Sequence, residues 1–333
     1  MTLIQPVENK PLRYTRRELS ILFILFIPMA VMIAINDHAP MLWKTTHPFT
    51  DAIDGVLKQE FPGPLVYRVF VPWLLESVHS IIPSISYVKF DFGLKIILLS
   101  GIFFAFYFYL KNFFSTIISL LSIFWLAILI DYSLSFFLGS NVFESSDLLN
   151  VLVLCLCLLF LFRRQWFLFN VILFLGMFNR ETPFILLVPL FLMYHGKQIQ
   201  LKHFLISVIV LIIPYVCLRL YIHPQGGQHF FFDFIQQNFP YPGNPENRFA
   251  LKSLLRLSVL LGPLLILAWI KVKQKNNFLK NAGAAFLLLL PIHFLLGRVI
   301  ESRLWMPAFV LLIPLAMDTI QSYALRENNS ATD

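Results

Sequence analysis

Ten apolar runs divide this chain, most of them close to the length at which a helix crosses a bilayer: 19–36, 92–110, 113–131, 148–162, 166–178, 183–195, 204–222, 254–270, 282–297 and 304–322. A hydrocarbon core about 30 Å thick asks for roughly 20 apolar residues per helix, and fewer where the ends are anchored or face protein-lined cavities. In lipid every backbone N–H and C=O must be satisfied internally, so a run of this kind has one economical form, the α-helix. Composition agrees: 58% of the residues are hydrophobic and 13% charged, against about a quarter charged in a soluble domain. The expected fold is therefore an all-α integral membrane protein of about ten transmembrane helices, within a range of eight to eleven. We read one polytopic domain over 1–333, with outer cap loops at 37–91 and 223–253 and no soluble catalytic domain.

Charge orients the chain. With the N-terminus inside, the segments 1–18, 111–112, 163–165, 196–203, 271–281 and 323–333 are cytoplasmic. Assigning each charge to its nearer side places 14 Lys and Arg with 5 Asp and Glu inside, and 12 with 13 outside, a net +9 against −1. Lys271, Lys273, Lys275 and Lys280 form the strongest element of this bias, because short basic loops stay in the cytoplasm. The net charge of +8 is thus mostly topology, and its scatter among short loops predicts no nucleic-acid partner. The expected location is the plasma (inner) membrane, multi-pass. Cys155, Cys157 and Cys217 lie inside apolar runs and suggest packing rather than disulfides or zinc.

One segment decides the register of everything after it. Residues 166–195 read either as one long helix or as two short ones, and only the second keeps the Lys271–Lys280 run inside. Thr182-Pro183 has the form of a cap followed by proline at a first helical position, which favours a restart there. Each arm then rises only about 20 Å at 1.5 Å per residue, so Asn179-Arg180-Glu181-Thr182 turns below the outer surface.

Charged residues held at membrane depth normally face a partner or a wet cavity. Arg180 and Glu181 either pair with one another or serve a ligand. A second charged turn, Arg298, Glu301 and Arg303, precedes Trp305 and Pro307; guanidinium groups bind phosphate through paired donors, though interfacial anchoring explains the pattern equally well. Asp37, with His38 beside it, ends the first apolar run and can act as a general base towards a sugar hydroxyl or bind a divalent metal ion with a diphosphate. Asp51 and Asp54, three apart, are second candidates for the base. Arg68 sits in Tyr67-Arg68-Val69-Phe70-Val71-Pro72-Trp73 and is expected to pair with Glu76 or Asp131 or to face a phosphate. His223, His229 and Asp233 have the wrong spacing for a closed metal site, and His293 reads as a hydrogen-bonded core residue.

Taken together, the acid after the first span, the Tyr67–Trp73 stretch, Asn179-Arg180-Glu181-Thr182 and Glu301-Ser302-Arg303-Leu304-Trp305-Met306-Pro307 resemble bacterial polytopic proteins similar to the GT-C superfamily of membrane glycosyltransferases. The likeness covers most of the chain. It implies inverting transfer of a sugar from a polyprenyl-phosphate-linked donor to a glycan or lipid acceptor on the non-cytoplasmic face. Asp37 would be the essential acid, and Arg180, Arg298 or Arg303 would hold the donor phosphate. The chain departs from that pattern in lacking a paired-acid signature beside Asp37 and a large soluble domain. A transporter or flippase of a lipid-linked or anionic solute and a non-catalytic scaffold subunit are the alternative functions.

Overall fold

The computed structural model describes residues 15–42, 47–60, 67–135, 143–223, 247–296 and 302–330. Most of these are helical, with no strand among them. The α-helices are α1 (Arg16–Leu42), α2 (His47–Leu57), α3 (Phe70–Ile81), α4 (Tyr87–Leu110), α5 (Thr116–Ser135), α6 (Phe143–Phe162), α7 (Trp166–Met177), α8 (Leu187–His195), α9 (Leu201–Tyr221), α10 (Asn247–Trp269), α11 (Asn277–Leu296) and α12 (Met306–Ser330), with 3₁₀ turns at Thr182–Leu186, Val272–Gln274 and Ser302–Trp305.

Six stretches are long and apolar enough to cross a membrane: Arg16–His38, Tyr87–Leu110, Thr116–Leu134, Glu144–Phe162, Leu201–Tyr221 and Arg303–Ala324. Three shorter apolar stretches, Trp166–Met177, Thr182–His195 and Leu257–Trp269, accompany them. The bundle has a centre and a rim. About three quarters of the spanning windows of α6 and α12 are buried, 72% and 78%, against 28% in α1 and 22% in α9. The rim helices turn large apolar side chains outward, among them Ile24, Ile117, Phe167, Leu220 and Val259. A belt of that kind is unfavourable in water and suits an apolar solvent.

Side-chain contacts along α9 show that residues 166–195 fold back on themselves. Trp166 stacks on His203 with ring centroids 4.4 Å apart, and Asn170 accepts a hydrogen bond from the Ser207 hydroxyl at 2.9 Å. At the far end Phe178 packs with Leu218 and Ile222, so α7 runs parallel to α9. The chain then turns, and Phe184 meets Tyr215 while Tyr194 meets Phe204, so α8 returns antiparallel to it. The break falls at 178–181 with Pro183 inside the first turn of the restart, as Thr182-Pro183 predicts. Gly176 allows this tip to sit against α6, since a Cβ there would lie 2.5 Å from Val153 Cγ1; a β-branched neighbour in a helix has little rotamer freedom with which to yield.

Contacts among the other helices sort the helix ends: α1 runs antiparallel to α4, with Phe23 against Phe104, Phe26 against Tyr107 and Asp37 against Lys95. Arg16, Arg17, Lys111, Arg163, Arg164, Lys197, Lys202 and the Lys271–Lys280 segment lie at one end of the bundle. Lys275 is not simply a loop charge: it is buried, and its ammonium donates to the carbonyls of Leu267 (3.2 Å) and Leu315 (2.5 Å) and to the Thr319 hydroxyl. It ties the C-terminal end of α10 to α12, and burial pushes its pKa below the ordinary lysine range. Cys155 and Cys157 are buried and Cys217 is exposed, all three as free thiols.

Candidate functional site: a buried charge cluster at one end of the bundle

The opposite end gathers the C-terminal turns of α1, α7, α9 and α11 and the N-terminal turns of α4, α6 and α12. First among the expected residues is Asp37. The sequence places it at the start of a loop, whereas α1 continues to Leu42; Asp37 and His38 are therefore one turn inside the helix, on its packed side, and buried. The reason is local. The residues after Ile35 include no glycine or proline before Pro40, so nothing stops the helix at the end of the apolar run.

What Asp37 faces is a buried lysine inside a long apolar helix. Lys95, fully buried on α4, donates through Nζ to Asp37 Oδ2 and to Glu144 Oε2 at 2.9 Å, and lies 3.5 Å from Asp91 Oδ2. His38 bridges the same acids, with Nδ1 3.6 Å from Asp37 Oδ2 and Nε2 3.4 Å from Asp91 Oδ2. Asp91 also accepts a hydrogen bond from the Ser145 hydroxyl at 2.5 Å. Removing an ammonium from water costs several kcal/mol or more, and carboxylates brought from α1, α4 and α6 offset that cost here.

One turn along α6 from Glu144 is Asp147, 1% exposed, which joins the two charged turns. Its Oδ1 accepts from Arg180 Nη1 and its Oδ2 is 3.4 Å from Arg303 Nε. Both guanidinium groups are buried, 7% exposed as residues. Asn179 donates to the Ser146 carbonyl at 2.7 Å and so pins the hairpin tip to the first turn of α6. On the α11 side, His293 Nε2 is 2.5 Å from the Leu304 carbonyl and its ring meets Trp305 edge-on, the hydrogen-bonded core role expected of it.

Arg180 and Glu181 are not a pair. The turn sends them apart: Arg180 goes to Asp147, while Glu181 accepts from Arg219 Nη2 at 3.0 Å. Arg219 in turn lies over the rings of Tyr215 and Tyr67, 3.8 and 4.5 Å from their centroids, so the Tyr67 stretch is clamped to the hairpin tip. Glu76 and Asp131, the partners expected for half-buried Arg68, are engaged elsewhere. Glu76 accepts from the Tyr87 hydroxyl at 2.5 Å and Asp131 from Asn36 at 3.4 Å. Asp51 and Asp54 do not join the cluster: Asp51 is exposed, and Asp54 pairs with Lys58 at 2.9 Å on the solvent side of α2. Arg298 and Glu301, like His229 and Asp233, lie outside the described residues.

Four residues of the cluster, Asp91, Lys95, Glu144 and Asp147, are not among the sequence candidates. Their signal is present nonetheless: Lys95 stands inside an apolar run, Asp91 precedes it by one helical turn, and Glu144 and Asp147 are three apart at the start of the next buried helix. Among the described residues no group of three or more His, Cys, Asp or Glu side chains is arranged to hold a metal ion. The place a divalent ion would take among Asp37, Asp91 and Glu144 is filled by the Lys95 ammonium. The acids at Asp37 therefore do not fit the metal role that the sequence allows them.

Chemically, the cluster offers a carboxylate oriented by a lysine, and a pair of desolvated guanidinium groups close by, both anchored on the first turn of α6. No protein-family model, curated protein or solved structure matches the chain. The class defined by fold and site is thus a helical membrane protein with a buried ionic cluster at one end of its bundle.

Proposed function

We propose that this chain is a glycosyltransferase of the plasma (inner) membrane. It moves a sugar from a polyprenyl-phosphate-linked donor to a glycan or lipid acceptor on the non-cytoplasmic face, by inverting displacement. The observation that carries this reading is that one helical turn of α6 joins both parts: Glu144 shares the Lys95 ammonium with Asp37, and Asp147 meets Arg180 and Arg303. In this scheme Asp37 takes the proton of an acceptor hydroxyl as its oxygen attacks the anomeric carbon. The bond from that carbon to the phosphate oxygen breaks, and the arginines stabilise the charge that develops on the leaving polyprenyl phosphate.

The topology belongs to the same proposal. The six long apolar helices, the three shorter stretches and α11 make ten crossings with both termini cytoplasmic, and α2 and α3 lie along the outer interface. The basic residues at the end remote from the cluster support this orientation. A transporter of a lipid-linked or anionic solute needs a polar route to that basic end. Among the described residues the layer below Lys95 is instead Leu99, Ile102, Phe103 and Phe106 of α4 with Leu154 and Leu158 of α6, all buried, which weighs against transport.

The test is transfer by the purified protein in liposomes, supplied with a labelled polyprenyl-phosphate hexose and lipid-linked glycan acceptors from a membrane extract. Label should move to the acceptor fraction, and Arg303→Ala should lower the rate by about 10²-fold or more. Transfer at the wild-type rate by Arg303→Ala, or a reporter fused at Gly226 found in the cytoplasm, would overturn the scheme.

A further inference from the structure

We infer that Asp147 is a built-in counter-anion that holds the phosphate site shut, and that the ligand's phosphate binds by replacing its carboxylate on Arg180 and Arg303. The inference rests on the donor reading above and adds to it a residue that sets affinity and selectivity. Asp147 comes from α6, Arg180 from the hairpin tip and Arg303 from the turn before α12, so three separate elements meet at a single carboxylate. One oxygen of that carboxylate faces each guanidinium, and a phosphate headgroup presents the same two-oxygen face to a pair of arginines.

The two contacts differ in quality. Asp147 Oδ1 accepts a hydrogen bond from Arg180, whereas Oδ2 lies 3.4 Å from Arg303 Nε and makes no hydrogen bond among the described residues. A carboxylate oxygen buried beside an arginine without a hydrogen bond is held by charge more than by fit. The carbon–oxygen frame of a carboxylate is smaller than that of a phosphate, and two arginines on separate backbones are spaced by their own elements. Asn179 keeps the hairpin tip in place through the Ser146 carbonyl, so the Arg180 backbone does not need to move when the anion is exchanged.

Such an arrangement has two consequences. It places a carboxylate between two buried guanidinium groups while no ligand is present, which lowers the cost of burying them. It also makes every incoming anion compete with an internal one, so a headgroup needs further contacts, such as an isoprenoid chain along the bundle, to displace it. If Asp147 occupies the pair in about nine molecules in ten, apparent affinity is lowered about tenfold, and neutralising Asp147 restores it.

The experiment measures binding of decaprenyl phosphate, decaprenol and inorganic phosphate to the full-length protein in nanodiscs, for wild type, Asp147→Asn, Arg303→Ala and Asp147→Asn with Arg303→Ala. Expected is decaprenyl phosphate binding about tenfold tighter or more in Asp147→Asn, loss of that gain in the double variant, and no change for decaprenol. Equal or weaker phosphate binding by Asp147→Asn would overturn the inference while leaving the donor reading intact if the wild-type binding still depends on Arg303. A gain for inorganic phosphate alone supports the inference and removes the lipid donor. Should Asp147→Asn not fold, a structure of the wild type with decaprenyl phosphate decides. Phosphate on Arg180 and Arg303 with the Asp147 carboxylate withdrawn supports the exchange, and phosphate elsewhere with Asp147 still between them overturns it.

Discussion

Replacing Lys95 with methionine should destabilise this protein by about 3–5 kcal/mol, the range for stranding a buried partner. Methionine fills much the same volume, so packing against Leu98, Leu99 and the α6 face is nearly conserved and the effect isolates the charge. Asp37, Asp91 and Glu144 would be left together in a site with no ammonium to share. The measurement is the thermal midpoint of the detergent-purified protein, alongside a compensated variant in which Lys95→Met is combined with Asp91→Asn and Glu144→Gln. Because these residues touch one another their effects should not add, and the triple variant should recover most of the lost stability. A Lys95→Met protein as stable as wild type would show that the cluster is electrostatically idle.

The largest effect on activity is expected from Asp37→Asn, a loss of about 10²–10⁴-fold in sugar transfer, as for removal of a general base. The substitution suits the question because asparagine keeps an acceptor oxygen for Lys95 and the shape of the side chain, so the fold should persist. Glu144→Gln is the matched comparison. Glu144 accepts from the same Lys95 Nζ at 2.9 Å and stands one helical turn from Asp147, which meets both arginines, yet it has no assigned role in proton transfer, so its substitution should cost far less. If the two variants lose rate equally, the cluster's net charge matters and Asp37 has no special part. If Asp37→Asn transfers sugar at the wild-type rate, the mechanism is wrong.

How far the site was legible follows from where its information is stored. Arg180 and Arg303 stand out because they interrupt apolar sequence at turns, and Asp37 because it ends an apolar run. Asp51 and Asp54 stand out because they are three apart and can share a helical face, and yet one is exposed and the other pairs with Lys58. Proximity along the chain does not separate the two outcomes. Glu181 illustrates this further: its neighbour Arg180 is the obvious partner on paper, but a turn directs adjacent side chains to different sides, here to α6 and to α9.

The helices themselves, the restart at Thr182-Pro183 and the segregation of basic residues to one end are written locally, in run length, capping residues and charge. They could be read without knowing any contact, because in an apolar solvent each helix must satisfy its own backbone. The pairing of charges could not. Asp37 meets Lys95 across 58 residues and Asp147 meets Arg180 across 33, and these meetings depend on how each helix is rotated about its axis. An amphipathic helix in water advertises that rotation by its polar face; α4 and α6 are apolar nearly all round and carry no such mark. Only packing, by turning Asp91 and Lys95 of α4 and Glu144 and Asp147 of α6 toward one another, decided that these apolar helices would enclose an ionic cluster.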